Sequence, residues 1–328
     1  MFQNNSICYA IIFIEVINMS KIVDSIIGHA VGDAMGVPTE FCIREYLLKN
    51  PVTQMVASEK TGQPAGSWSD DTSMEICTID SFIKKGKFDY SDIMSRWERW
   101  ISNNEYTANN DTFDVGTTCL RAIRNYKQGI DPLECGGDSE GSNGNGSLMR
   151  ILPVALYSFY NNLTVEETLK LTNELSALTH AHNISKLGCY IYVRYVMFLL
   201  EGKDKVEAYN LIQKIDYSSY DKYSISKYNR ILKEDISKYG INDILSTGYV
   251  VDTLECAFWI LLNTNSYEET IIVSTNIGND TDTIGAIAGS MAGIIYGISS
   301  IPERWLNKLM RKDYLINLAN SFEKAIKE

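Results

Sequence analysis

Two short stretches of the chain collect carboxylate and hydroxyl side chains where a helix is expected to begin. They read "GSWSDDTSM" and "GNDTDTIGAIAGSMAGIIYG", and their oxygen-bearing residues are Ser69, Asp70, Asp71, Asp280, Asp282 and Thr283. Such residues can cap a helix, because their oxygens accept hydrogen bonds from the free amides of the first turn. They can also bind a hard divalent cation, which prefers oxygen ligands. A cap needs one oxygen and each stretch offers several, so both interpretations stay open here.

A third acidic stretch, "GDAMGVPTEF", carries Asp33 and Glu40 around the end of the first predicted helix. Glu40 adds one carboxylate to the four aspartates at the helix starts. Carboxylates that converge repel one another unless cations neutralise them. Two magnesium or manganese ions a few ångströms apart would do this, since both metals accept carboxylate, hydroxyl and water as ligands.

A loop rich in Gly, Asn and Ser leads into an apolar segment in "GSNGNGSLMRILPVAL". Its exposed backbone amides could hold a diphosphate, although a mobile surface loop explains the composition equally well. The loop matches neither the phosphate-binding loop of the nucleoside triphosphatases nor the Gly-rich turn of a dinucleotide-binding fold. In "LTHAHN", His180 and His182 would face different sides of a helix, so they are poor joint metal ligands. One of them could contact a ligand, and a polar helix start is the alternative.

The elements that position these residues are expected to be helices. The alternation of apolar and polar residues that is typical of β-strands is absent over any convincing length. Apolar residues at spacings of three and four predict helices over 22–35, 72–83, 93–101, 117–126, 165–176, 184–200, 254–262 and 283–298. The stretch 135–147 is expected to be a loop, and 203–247 polar surface helices with connections. The pattern predicts one all-α domain of many packed helices, spanning residues 19–328.

Glycines recur every four residues in two of the predicted helices: Gly28, Gly32 and Gly36 in the first, and Gly285, Gly289, Gly293 and Gly297 in the last. A glycine within a helix costs about 1 kcal/mol relative to alanine. Residues four apart lie on one ridge, and a ridge without side chains lets another backbone approach closely. We therefore expect both helices to lie near the centre of the bundle in tight contact with neighbours.

Composition excludes several classes of function. The formal net charge of the 328-residue chain is -11, which argues against nucleic acid as a partner. The seven cysteines are scattered and the histidines number three, so we expect no disulfide framework, no zinc knuckle, no His-rich transition-metal site and a reduced, cytoplasmic compartment. No stretch predicts a membrane span. Residues 1–18 lack the marks of a signal peptide, and we expect an extension or an upstream start before Met19.

The ordered motifs "IIGHAVGDAMGVPTEF", "WSDDTSM", "GNGSLMRILPVAL", "THAHN" and "GNDTDTIGAIAGSMAGIIYG" resemble the ADP-ribosylglycohydrolase family, over roughly residues 22 to 300. The resemblance implies an all-α fold, two magnesium or manganese ions and hydrolysis of the glycosidic bond between ADP-ribose and an acceptor, with ADP-ribose as product. It implies metal ligation by Ser69, Asp70, Asp71, Asp280, Asp282 and Thr283. It also implies substrate binding by Gly144, Asn145, Gly146, Ser147, Leu148, Met149, Arg150 and His180.

The catalytic candidates are Glu40, Asp71 and Asp114, with Asp71 also counted as a ligand. Glu40 matches an acid linked to the metals or to catalysis in the family, and Asp114 in "TFDVGTT" resembles a general base of some members in a shorter motif. Ser69 stands where many members have threonine, which keeps a hydroxyl ligand. Asn279 stands where many have glycine, which would narrow the pocket slightly.

Three other functions are also compatible with the sequence. They are a non-catalytic ADP-ribose-binding protein, a structural protein on the same fold, and a dimetal nucleotide phosphohydrolase. The loops near 103–115 and 203–250 are expected to contact the acceptor. They carry no recognisable motif, so the sequence leaves the acceptor open. We expect a monomer.

Overall fold

The computed structural model describes residues 20–328, and within that range the chain folds into helices joined by loops, without a β-strand. The α-helices are α1 Lys21–Gly36, α2 Arg44–Lys49, α3 Asp70–Lys85, α4 Tyr90–Asn103, α5 Thr117–Lys127, α6 Leu152–Tyr160, α7 Val165–Ala177, α8 Asn183–Leu200, α9 Lys205–Ile212, α10 Lys222–Lys227, α11 Asn229–Lys233, α12 Val250–Asn263, α13 Tyr267–Thr275, α14 Thr281–Tyr296, α15 Glu303–Leu306 and α16 Lys312–Lys327. Short 3₁₀ helices cover Pro132–Glu134, Glu140–Ser142, Leu148–Arg150, Ile236–Lys238, Ile241–Asp243 and Ile298–Ser300. The predicted all-α fold is confirmed. The extension expected at residues 1–18 lies outside the described residues.

Helices α1 and α14 form the centre of the bundle and run antiparallel with their backbones in contact. A Cβ atom added to Gly32 would lie 2.0 Å from the carbonyl oxygen of Gly285, and one added to Gly28 would lie 2.4 Å from that of Gly289. No side chain fits there, which explains the glycines on both ridges. Gly297 is the exception, because it ends α14 with φ +77° instead of packing on α1.

This antiparallel pairing sets the position of the acidic residues. The end of α1 meets the start of α14, so a Cβ atom on Gly36 would lie 2.3 Å from the Cα of Asp282. The chain after α1, which carries Glu40, therefore stays beside the first turn of α14. Two backbone hydrogen bonds hold it there, from Phe41 N to Asn279 O at 2.6 Å and from Asn279 N to Cys42 O at 2.9 Å.

Helix α3 brings the second acidic stretch to the same place. Asp33, in the last turn of α1, accepts hydrogen bonds from the backbone N of Ser69 at 2.9 Å and of Thr72 at 3.1 Å. The Thr72 hydroxyl donates to the same carboxylate at 2.6 Å. The beginning of α3 is thus fixed against the end of α1 by one buried side chain.

All eight helices expected from periodicity are present, with ends shifted by a few residues. The stretch 203–247 differs from its expected polar character, because four of its six tyrosines are buried: Tyr209, Tyr217, Tyr220 and Tyr228. Tyr228 is fully buried and donates to Ile184 O of α8 at 2.7 Å, and Tyr209 donates to Ile231 O at 2.8 Å. A tyrosine can bury its ring and still satisfy its hydroxyl, so tyrosine content did not mark exposed surface here.

The buried apolar side chains of the described residues form one core that extends from Ile22 in α1 to Ile326 in α16. Within residues 20–328, no helix has both the length and the apolar character that a membrane crossing needs. The six cysteines in this range are all free thiols.

Candidate active site

The three acidic stretches meet at one cavity, where the end of α1 and the starts of α3 and α14 converge. Its volume is about 270 Å³. The residues that line it are Glu40, Phe41, Asp70, Asp114, Gly116, Thr117, Thr118, Cys119, Gly144, Asn145, Gly146, Met149, His180, Gly248, Asp280 and Thr283. None of these is a lysine or an arginine, so no basic lining residue neutralises the acids.

Asp71 and Asp282 are buried at the base of this site, and each has an oxygen without a protein partner. One carboxylate oxygen each of Asp33, Asp71 and Asp282 lie within 4.8 Å of one another. Asp71 Oδ1 and Asp282 Oδ2 accept no hydrogen bond from any described residue. Burial first, and then the neighbouring acids, raise the pKa of both carboxyls well above the ordinary range. Buried carboxylate oxygens left open in this way fit a divalent cation.

A second group of acids shares Asp282 with the first. Oxygens of Glu40, Asp114 and Asp282 also lie within 4.8 Å of one another. Burial and the charges of Asp114 and Asp280 raise the pKa of Glu40 to about 9, against a smaller opposing effect of Lys60. Asp114 reaches this position from a left-handed backbone conformation, with φ 55°. Among the described residues, Asp282 belongs to both groups of acids.

A side chain caps the start of α3, whereas the residue at the cap position of α14 makes no such bond. Ser69 does cap α3, since its hydroxyl accepts from Asp71 N at 3.4 Å. Asp280 occupies the cap position of α14 but makes no capping bond with its side chain. Its Oδ2 accepts instead from the side-chain amide of Asn145 at 2.8 Å, and Asp280 lines the cavity. The side chain of Asp280 is therefore held by Asn145 of the Gly- and Asn-rich loop and does not cap α14.

Asp33 is a member of the acid cluster that the sequence did not single out as a site residue. Both of its oxygens already accept hydrogen bonds from the start of α3. These bonds partly offset its burial, which on balance raises its pKa to about 6. Asp33 orients Asp70 and Asp71 and keeps no oxygen free of protein contacts.

The loop expected to bind a diphosphate borders the cavity over part of its length. Gly144, Asn145, Gly146 and Met149 line the cavity, while Ser147, Leu148 and Arg150 do not. The backbone N of Asn145 donates to Gly248 O at 3.0 Å, which fastens the loop to the start of α12. The Ser147 hydroxyl lies behind the loop, 3.0 Å from that of Ser176 and 3.3 Å from Cys189 Sγ.

The two histidines of "LTHAHN" have separate positions. His180 is buried and lines the cavity, with Nδ1 at 2.8 Å from the Thr179 hydroxyl. His182 lies outside the cavity lining and caps α8, accepting from Ile184 N at 3.2 Å. Burial, with a contribution from Arg150, lowers the pKa of His180 to about 3, so the imidazole is neutral.

Several lining residues were not found by the sequence reasoning. Gly116, Thr117, Thr118 and Cys119 form the start of α5, which has no side-chain cap, so its free amides border the cavity. Phe41 lies at the rim, 62% exposed, with the Lys60 ammonium 3.7 Å from its ring centroid. The glycine before two threonines at the start of α5 was the one available signal.

The cavity has buried acids suited to cations at its base and backbone amides along its wall. Comparison with known proteins identifies the family to which the chain belongs. The profile of the ADP-ribosylglycohydrolase family matches residues 16–328. The chain belongs to the ADP-ribosylglycohydrolase family. The ADP-ribosylarginine hydrolase Tri1 of Pseudomonas putida is 31% identical over 304 residues, which cover 92% of this chain and 77% of that protein.

A second relative and a solved structure are similar to this chain over most of their length. The ADP-ribosyl-[dinitrogen reductase] glycohydrolase of Rhodospirillum rubrum is 29% identical over 298 residues, covering 87% of this chain and 89% of the relative. A solved ADP-ribosylglycohydrolase-related protein complex superposes with a TM-score of 0.77 at 25% identity, covering 94% of this chain and 98% of that chain.

Proposed function

We propose that this protein hydrolyses the glycosidic bond between C1″ of ADP-ribose and an acceptor, and so reverses ADP-ribosylation. One observation carries the proposal. Two buried carboxylates with open oxygens lie in the same cavity region as an amide-rich loop, which suits a substrate with both a ribose and a diphosphate. The family relationship supports the same reaction.

We further propose that the site holds two magnesium or manganese ions. The residues that would hold them are Ser69, Asp70, Asp71, Asp280, Asp282 and Thr283. The oxygen-only donor set and the open oxygens of Asp71 and Asp282 support this choice. When bound, such ions orient the ribose hydroxyls and lower the pKa of a bound water. Asp71 acts in this proposal as a ligand and not as a proton carrier.

Glu40 and Asp114 divide the proton transfers in this proposal. Glu40, with its raised pKa, holds a proton on its carboxyl and gives it to the leaving acceptor atom as the C1″ bond breaks. Asp114 takes a proton from the water that forms the new bond to C1″. The result is free ADP-ribose and an unmodified acceptor. Two carboxyl groups on one site are the usual equipment for hydrolysing a glycosidic bond.

The wall of the cavity would hold the diphosphate. Gly144, Asn145 and Gly146 present backbone amides, and the uncapped start of α5 presents more. Helix starts and glycine-rich loops bind phosphate through such amides and through the helix dipole. Their contribution is positioning of C1″ over the acids, with no part in bond breaking.

We propose arginine as the acceptor to be tested first. The relative from Pseudomonas putida is named for ADP-ribosylarginine and spans 92% of this chain at 31% identity. The site also offers the leaving guanidine a proton from Glu40. An acidic cavity without basic lining residues suits a cationic leaving group.

The test is a product assay with purified protein, an ADP-ribosyl-arginine substrate and an ADP-ribosyl-serine substrate. Release of free ADP-ribose, abolished by EDTA and restored by magnesium or manganese, is expected. Release of AMP would identify a phosphohydrolase instead. Binding of ADP-ribose with no turnover of either substrate would indicate a binding protein. Turnover of the serine substrate alone would overturn the choice of arginine while leaving the reaction in place.

A further inference from the structure

Arg150 is a buried cation that faces away from the cavity. Its side chain donates to Gly146 O at 3.1 Å, to Leu175 O at 3.2 Å and to the Thr179 hydroxyl at 2.7 Å. Its guanidinium also stacks on Trp97, 4.1 Å from the ring centroid. None of these partners is a carboxylate, and burial lowers the pKa of Arg150 to about 10. Burying an unpaired charge is costly, so its place behind the ligand loop needs a reason.

Thr179 connects this cation to His180. The Thr179 hydroxyl accepts from Arg150 Nη2 and lies 2.8 Å from His180 Nδ1. A hydroxyl that accepts from a guanidinium becomes a stronger donor, and it has one hydrogen to give. The Cys119 thiol also lies beside the Thr179 hydroxyl, but sulfur is a weak acceptor, so the hydrogen goes to His180 Nδ1. Nδ1 is then the unprotonated ring nitrogen, and the proton of the neutral imidazole resides on Nε2.

Nε2 is the nitrogen at the ligand loop. A Cβ atom placed on Gly144 would lie 3.6 Å from Nε2, and one placed on Gly146 would lie 2.9 Å from the adjacent Cε1. The two glycines therefore leave space for this edge of the ring. Within residues 20–328, the side chain of His180 has its one hydrogen bond at Nδ1, which leaves Nε2 available to a ligand.

We propose that Arg150, Thr179 and His180 form a relay that fixes His180 as the neutral Nε2–H tautomer, which donates to a diphosphate oxygen of the substrate. Arg150 and Thr179 are then positioning residues, and the inference rests on the proposed function for the identity of the ligand. Phosphate oxygens only accept hydrogen bonds, so the opposite tautomer would present a lone pair to them. A neutral donor also avoids a second buried cation beside Arg150.

The protein has three histidines, His29, His180 and His182, which makes the tautomer directly measurable. In ¹⁵N-histidine-labelled protein without ligand, long-range ¹H–¹⁵N correlations should give the Nε2–H pattern for His180. His180→Gln assigns the signal. Thr179→Val should remove this preference and weaken ADP-ribose binding about three- to tenfold by calorimetry, and Thr179→Ser should restore both.

Thr172→Val is the matched control, because Thr172 is equally buried but donates to Thr168 O within its own helix, at 2.7 Å. It should change neither the tautomer nor the affinity for ADP-ribose. An Nδ1–H pattern in the parent, or a Thr179→Val variant with parental tautomer and affinity, would overturn the relay. A parent with the Nε2–H pattern and Thr179 dependence that hydrolyses no ADP-ribosylated substrate would support the relay and overturn the proposed function.

Discussion

The acids at the start of α3 and the acid near its end have opposite surroundings. Asp70 and Asp71, in the first turn, are buried beside other carboxylates, and their pKa values are raised well above the ordinary range by burial and by those neighbours. Asp80, three turns later, accepts a charged hydrogen bond from Arg96. Tyr106 donates to the same Asp80 oxygen at 2.8 Å.

Arg96 also holds Asp92, one turn earlier in α4, at 2.6 Å. Burial raises the pKa of Asp92, but the hydrogen bond from Arg96 and the positive charges of Arg96 and Lys85 outweigh it and lower the pKa on balance. Because the pKa of Asp92 is lowered in the fold, its ionised form favours the folded state. Among residues 20–328, no cationic side chain pairs with the acids in the first turn of α3, so these acids oppose folding in the metal-free protein.

The difference separates acids that maintain the fold from acids kept for a ligand. Burying a cluster of carboxylates without cationic side chains costs free energy, which some other interaction must offset. In this protein the candidate is a pair of divalent cations. The two ends of α3 should therefore respond in opposite ways to substitution, to pH and to metal.

Asp282→Asn should have the largest effect. Asparagine keeps the shape but removes the charge shared by both acid groups, so turnover should fall by roughly a thousandfold, in line with several kcal/mol of lost metal assistance. Metal-free thermal stability should stay the same or rise. The stabilisation that magnesium gives the parent should disappear. Initial rates of ADP-ribose release and melting curves with and without magnesium measure these effects.

Asp216→Asn is the control for this variant, because it removes the same charge from an exposed side chain outside the cavity lining. It should leave turnover and the magnesium effect unchanged. If Asp282→Asn turns over substrate at the parental rate, the acids at the start of α14 have only a structural role. That result would contradict the proposal of two metal ions.

Arg96→Met should affect stability and leave turnover intact. It keeps much of the side-chain volume but leaves Asp80 and Asp92 without their shared cation, which should cost about 3 kcal/mol in the free energy of unfolding. Denaturant melts measure the loss, and turnover is read at a temperature where the variant is folded. Lys203→Met, at the exposed pair with Glu207, should leave the free energy of unfolding almost unchanged, because solvent screens that pair. If Arg96→Met and Lys203→Met lost equal stability, the ion pairs of Arg96 would contribute no more to the fold than an exposed pair. That result would contradict the structural role assigned to Asp80 and Asp92.

The pH dependence should differ between metal-free and metal-loaded protein. Asp71, Asp282 and Glu75 have raised pKa values in the fold, so the folded state binds more protons than the unfolded state and stability falls as pH rises. His29 and His180, with pKa values lowered to about 3 by burial, act in the opposite direction, but only below their ordinary value of 6.5.

Between pH 6.5 and 8.5 the acids dominate, and Glu40 is the clearest case, because its pKa is raised to about 9 in the fold. Metal-free stability should fall by about 1.4 kcal/mol per pH unit for each carboxyl that stays protonated only in the fold. Because ligands must be ionised to bind a cation, the stabilisation by magnesium should grow over the same range. Melting curves at several pH values, with magnesium or with EDTA, test both slopes. A rise in metal-free stability across this window would contradict the raised pKa values.

Sequence reasoning reached the parts of this arrangement that depend on local pattern. The helical period located eight helices, and several oxygens at one helix start distinguished a possible ligand set from a simple cap. The four-residue glycine spacing identified the two helices in close contact. Asp33, Thr179 and the start of α5 depend on which helix ends meet, which no local pattern encodes. The buried tyrosines of 203–247 were missed because their hydroxyl partners are distant in sequence.

Asp33→Asn should have the smallest effect and tests the boundary between the two kinds of acid. Asp33 lies among the candidate ligands, yet its oxygens accept from Ser69 N, Thr72 N and the Thr72 hydroxyl. The amide nitrogen of asparagine cannot accept, so at least one of these bonds is lost, at about 1–2 kcal/mol of stability. Because Asp33 positions α3 and is not proposed as a ligand, magnesium should still stabilise the variant, with affinity reduced about tenfold, as for residues that orient ligands. Complete loss of the magnesium effect would instead make Asp33 a ligand, and an unchanged melting temperature would show that α3 is held by other contacts.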